Sequence, residues 1–138
     1  MQRGSAACTK ISDMKIEFLK SGSPDCPLIR LYEFKPSEAQ SLRRIALQLA
    51  RGRIQRVPLH NEEGILAIGG CQLAVSREER DAGVFETGPL EFMWALTGAG
   101  WLSVSGLIRP FSRTNSGGFQ WLSDGGKIRI LLSCDGRW

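Results

Sequence analysis

The chain has 138 residues, 42% hydrophobic and 23% charged, with a formal charge of +4 at neutral pH. That length is long enough to bury a core without metals or cross-links, and the composition excludes an intrinsically disordered chain. Every apolar run is broken by Glu, Lys, Arg or Gly well short of the roughly 18 to 20 residues that span a bilayer, so no membrane partner is expected.

Residues 1–13 are small and polar and hold no apolar stretch of the secretory kind. They are read as a frayed leader, or as an upstream extension with Met14 the native start, and a single domain is expected over residues 14–138. With no export signal the expected compartment is the cytoplasm. Cys8, Cys26, Cys71 and Cys134 are accordingly read as reduced thiols. Cys71 belongs to an alternating apolar run and to the core, whereas Cys26, between Asp25 and Pro27, belongs on an exposed turn.

Two strand-like runs, 16–19 and 28–34, flank a connector rich in turn formers and predict a hairpin. In the second run Leu28, Tyr32 and Phe34 share one face and Ile29 and Leu31 the other, the pattern of a central strand with apolar neighbours on both sides. A helix follows, with Ser37 as its cap, Gln40 completing a capping box, and Gly52 as its stop. Leu42, Ile45, Ala46 and Leu49 recur at helical spacing and form its buried stripe.

Residues 53–59 read as a short strand and 60–64 as a polar turn. The apolar stretch 65–75 is interrupted by Gly69-Gly70, which predicts a bulge, a bend or a close backbone approach. A charged loop is expected at 76–83, then strands at 84–86 and 90–96, the second with Leu90, Phe92, Trp94 and Leu96 on one face. Thr97 caps a second helix with the stripe Trp101, Val104, Ile108 and Phe111, and Pro110 strains its last turn. Runs 118–122 and 127–133 flank Ser123-Asp124-Gly125-Gly126 and predict a tight hairpin with positive φ angles. The order predicts an α+β fold, a mainly antiparallel sheet with two helices packed on one face; a strand pair before each capped helix suggests a ββα pseudo-repeat.

The chemistry-bearing residues are sparse. His60 is the single histidine, and no neighbour in sequence completes a catalytic or metal-binding set, so neither a metal nor another cofactor is expected. A thiol nucleophile would need Cys26 or Cys71 beside His60, with Glu62 or Asp81 to orient the ring, and the spacing gives no support. Glu33, Glu86 and Glu91 lie on strands and read as a solvated face rather than paired catalytic acids. Gly98-Ala99-Gly100 opens a helix but lacks the further residues of a phosphate loop, and Ser116-Gly117-Gly118 reads as a connector.

Two surface candidates remain. Arg43, Arg44, Arg51, Arg53 and Arg56 cluster at a helix end, and Arg44 and Arg51 are the pair that would meet nucleic-acid phosphates. Of the tryptophans, Trp94 and Trp101 fall on apolar stripes, Trp121 lies in a strand, and Trp138 stands beside Arg137 at the end of the chain. Tryptophan and arginine dominate protein interfaces, so Arg137-Trp138 is the leading contact candidate. The expectation is a small non-catalytic interaction or assembly protein with a protein partner or a second copy. A nucleic-acid-binding module is the alternative, and a small-ligand binder or enzyme with a sheet–helix cleft the third reading.

Overall fold

The computed structural model describes residues 13–113 and 117–138. The leader apart from Asp13, together with Cys8 and Ser116, lies outside the described residues. Alternating apolar side chains make β1 (Met14–Leu19) and β2 (Leu28–Tyr32) an antiparallel pair in which Ile16 faces Leu31 and Phe18 faces Ile29. β2 is buried along both faces, as expected of a central strand, and its other neighbour is β9 (Arg129–Ser133), which runs parallel to it. β8 (Phe119–Ser123) flanks β9, and β4 (Ile65–Ala67) lies parallel to β1, giving the order β4-β1-β2-β9-β8.

The second sheet is built from β3 (Arg56–Pro58), β5 (Gln72–Arg77), β6 (Gly83–Gly88) and β7 (Glu91–Leu96) in the order β3-β5-β7-β6. Its central pair, β5 and β7, is parallel, and both outer pairs are antiparallel. The chain passes from β4 in one sheet to β5 in the other through Gly69 and Gly70, whose φ angles of 65° and 80° meet the bend expected there.

The α+β class stands, but the sheets are mixed and not mainly antiparallel. Each of the parallel pairings, β1–β4, β2–β9 and β5–β7, joins strands that are not consecutive in the chain. One sheet with helices on one face is likewise replaced by two sheets whose inner faces share a core with both helices. In that core Ile16, Leu31 and Ile130 of the first sheet join Leu73, Val75 and Trp94 of the second.

Helix α1 (Pro36–Ala50) buries Ala39, Leu42, Ala46 and Leu49, with Ile45 packed at the margin. Its cap is Lys35 rather than Ser37, and the Glu38 carboxylate, not Gln40, accepts the Lys35 amide at 2.9 Å. Proline at the first helical position fixes that frame, because its ring pre-sets the helical φ and lacks the amide that would go unpaired. Helix α2 (Gly98–Arg113) is capped by Thr97 as expected and buries Trp101, Val104 and Ile108.

Smaller expectations shift at chain reversals. Glu33 has φ 54° and ends β2, so Phe34 turns into the core and meets Phe111 instead of sharing a face with Tyr32. Leu90, at φ 58°, sits exposed in the β6–β7 turn, outside the Phe92–Trp94 face. The β8–β9 hairpin forms, but with a bulge between Trp121 and Ser123 and without positive φ at Gly125 or Gly126.

Candidate functional site

Period-two alternation decides what the second sheet shows to each side. Leu73 and Val75 of β5, Phe92 and Trp94 of β7 and Val84 of β6 enter the core. The intervening residues face outward: Ala74 and Ser76, Met93 and Ala95, and Phe85. In register, Arg56 stands opposite Ser76, Ser76 opposite Ala95, and Met93 opposite Phe85. Small side chains in the middle and larger ones at the flanks leave an open concavity of about 1150 Å³, over the C-terminal ends of the parallel pair.

Ser76 lies in its floor. It is 2% exposed, and its hydroxyl, itself shut off from solvent, has no hydrogen-bond partner among the described residues. Its main chain, by contrast, is pinned, because the Trp101 indole N–H donates to the Ser76 carbonyl at 2.8 Å. A buried hydroxyl without a partner costs about 1–3 kcal/mol, a cost a ligand carrying an acceptor removes.

The rim is charged and divides by role. Arg77 Nη1 donates to the carbonyls of Leu49 (3.0 Å) and Ala50 (2.6 Å), closing the C-terminal end of α1. Asp81 accepts from the Thr97 amide (2.7 Å) and hydroxyl (2.9 Å), and these hydrogen bonds hold its carboxyl below the usual carboxylate range. Arg56 and Arg80 are exposed and form no ion pair among the described residues. Both line the concavity, as do Glu78 and Glu79, which are exposed and likewise form no ion pair among the described residues, so the rim carries unpaired charge of both signs.

The residues singled out in the sequence are dispersed. His60, in a 3-10 turn (Leu59–Asn61), is not a free loop side chain: its Nδ1 accepts the Leu73 amide at 3.1 Å. Cys26 is half-buried near Ser23, and Cys71 is buried, its thiol pushed up to about 11 by burial and the charge of Glu17. Alkylation by iodoacetamide in mild base is therefore expected to be slow at Cys71, where only about one thiol in a thousand ionises, and to become fast in denaturant. Prompt modification of the folded protein, read by peptide mass analysis, would contradict that burial.

Glu33 pairs with Lys15 on the first sheet while Glu86 and Glu91 lie exposed on the second, so these acids do not form one site. The Gly98-Ala99-Gly100 helix start already has the Asp81 carboxylate and the Thr97 cap beside it. Among the described residues no group of three His, Cys, Asp or Glu side chains converges, and no helix is long and apolar enough to cross a membrane. Arg44 is exposed on α1 and Arg51 is exposed just past its C-terminal end; of the arginine cluster, only Arg56 lines the concavity.

Arg137 and Trp138 fold back along the outer face of the first sheet. The Arg137 carbonyl accepts from Ser133 Oγ at 2.6 Å, and the Trp138 indole donates to Asp25, which also pairs with Arg129. Trp138 keeps 37% of its surface exposed. Sequence reasoning missed Ser76 by assigning it to the charged loop. The alternation of Cys71, Leu73 and Val75 was the available signal, since it continues one residue further and makes Ser76 an outward strand position. Comparison with protein-family models, curated proteins and solved structures finds no match to this chain.

Proposed function

We propose that this protein is a binding protein whose ligand lies on the outer face of the second sheet, in the concavity floored by Ser76 and Ala95. The observation that carries the reading is the unpartnered, buried Ser76 hydroxyl. A folded protein normally satisfies such a group, and a ligand acceptor would do so here. Apolar walls from Phe85 and Met93 suit a ligand with an apolar body. Glu78 and Glu79 share the rim with Arg56 and Arg80, but it is Arg56 that stands in register beside Ser76, where a negative group of the ligand would meet it. Recognition fits better than catalysis, because a serine nucleophile needs a base in hydrogen-bond contact and Ser76 has none.

The test uses 8-anilinonaphthalene-1-sulfonate, an apolar ring system bearing an anion, with the full chain. Its fluorescence is expected to rise on binding and to be lost in Ala95→Tyr, which fills the floor. Ser76→Ala is expected to keep or raise stability by about 1 kcal/mol, since it removes an unsatisfied hydroxyl. No fluorescence rise with the wild type, or an unchanged rise in Ala95→Tyr, overturns the reading.

A further inference from the structure

The two sheets correspond strand for strand around their parallel pairs. In the first, Ile29 pairs with Ile130, Leu31 with Leu132, and Tyr32 with Ser133. In the second, Phe92 pairs with Leu73, Trp94 with Val75, and Ala95 with Ser76. Each parallel pair carries an antiparallel strand on both flanks, so β1-β2-β9-β8 matches β6-β7-β5-β3. By this register Ser133 is the counterpart of Ser76, Tyr32 of Ala95, and Arg30 of Met93.

The counterpart serine is satisfied by backbone. After β9 the chain turns onto the outer face of the first sheet. There Gly136, at φ 85°, comes so close that an added Cβ would stand 3.0 Å from Arg30 Nη1, and Arg137 offers its carbonyl to Ser133. After β5 the chain behaves differently. Glu78 and Ala82 donate to the carbonyls of Leu96 and Ala95 at 2.8 and 3.0 Å, which keeps this segment along the strand ends. With smaller residues in place of Tyr32 and Arg30, no described backbone segment lies on the corresponding position of the second sheet, although the Ser76 hydroxyl there is closed off from solvent and a ligand reaches it only by displacing its neighbours. The concavity's volume of about 1150 Å³ lies above the roughly 300–1,000 Å³ of small-molecule pockets.

We infer that the concavity takes an extended segment of another protein, one backbone carbonyl accepting from Ser76 Oγ. An apolar side chain of that segment rests on Ala95 between Met93 and Phe85, and a neighbouring acidic side chain meets Arg56. The inference rests on the binding site proposed above and names its ligand class. Arg56 is the cross-strand neighbour of Ser76, so the acidic side chain lies next to the bonded carbonyl in the peptide.

The test pans a display library of random linear peptides against the full-length chain, with Ala95→Tyr as counter-selection, and measures the winning synthetic peptides by fluorescence anisotropy. Enriched peptides are expected to share an apolar residue adjacent to Asp or Glu. Their binding is expected to weaken about 10-fold in Ser76→Ala, the loss of one hydrogen bond, and by at least as much in Arg56→Glu. Arg56 is exposed, so that variant leaves the fold unaltered and remains informative if Ala95→Tyr misfolds. Absence of enrichment, or peptides that bind Arg56→Glu and Ser76→Ala as tightly as the wild type, overturns the inference. If the dye still binds and is lost in Ala95→Tyr, only the peptide class fails; if the dye also fails, the site itself does.

Discussion

Replacing Trp101 with alanine is expected to lower the unfolding free energy by about 3–5 kcal/mol, the range for removing a large aromatic side chain from a packed core. The ring is buried, with its centroid 4.8 Å from that of Trp94, and α2 carries it against the underside of β5 and β7. Losing it forfeits apolar burial, the aromatic pair and the hydrogen bond to the Ser76 carbonyl together. Trp101→Phe separates these terms: it keeps most of the ring contact but leaves that carbonyl without its donor, a cost of about 1–3 kcal/mol. The phenylalanine variant is also expected to weaken dye binding, because Trp101 fixes the main chain from which the Ser76 hydroxyl projects. Urea unfolding followed by circular dichroism measures the first effect. A loss under about 1 kcal/mol for the alanine variant would mean that the ring is not part of the core.

Why the sequence disclosed the elements better than the site follows from the range over which each is determined. The stripe Leu42, Ala46 and Leu49, the Thr97 cap and the alternation of β1 and β2 are local, and all are present in the fold. Parallel pairing is not local: β2 meets β9 across about a hundred residues, and only the two-sided burial of 28–32 hinted that something apolar must lie beside it. The cap of α1 was misread by two residues because Ser37 has the better capping side chain, whereas Pro36 determines where the first turn begins. The concavity depends on residues that carry no motif. Ser76 and Ala95 matter because they are small and adjacent in the sheet, and that adjacency joins β5 to β7 only through the tertiary register. Arg137-Trp138, chosen for its residue types, is engaged by Asp25 and Ser133 of the same chain.

On the first sheet, Arg30→Ala is expected to cost about 2–3 kcal/mol at neutral pH, below the roughly 3–5 for a fully buried pair because both partners keep about a quarter of their side-chain surface. Arg30 lies 4.0 Å over the Tyr32 ring and donates to Glu17 Oε1 through Nε (3.1 Å) and Nη2 (2.7 Å), and to the Gly136 carbonyl at 3.0 Å. Tyr32 adds a third donor to the same Glu17 oxygen at 2.9 Å. Burial pushes the Glu17 carboxyl up, but the hydrogen bonds from Arg30 and Tyr32 and the charge of Arg30 outweigh it and hold the group below its ordinary value of 4.5. A carboxyl with a folded-state value below its unfolded one stabilises the fold fully above the unfolded value, and that contribution is lost as pH falls through the folded value. The wild type should therefore lose this increment below pH 4.5, and Glu17→Gln should flatten that part of the profile. The difference between wild type and Arg30→Ala should narrow over the same interval, because protonating Glu17 removes the charge that Arg30 neutralises. Urea unfolding of the three proteins at neutral pH and at several values below 4.5 reads both effects. A difference between wild type and Arg30→Ala that stays constant with pH would assign the role of Arg30 to Tyr32 and the Gly136 carbonyl alone, and would leave Glu17 a bystander.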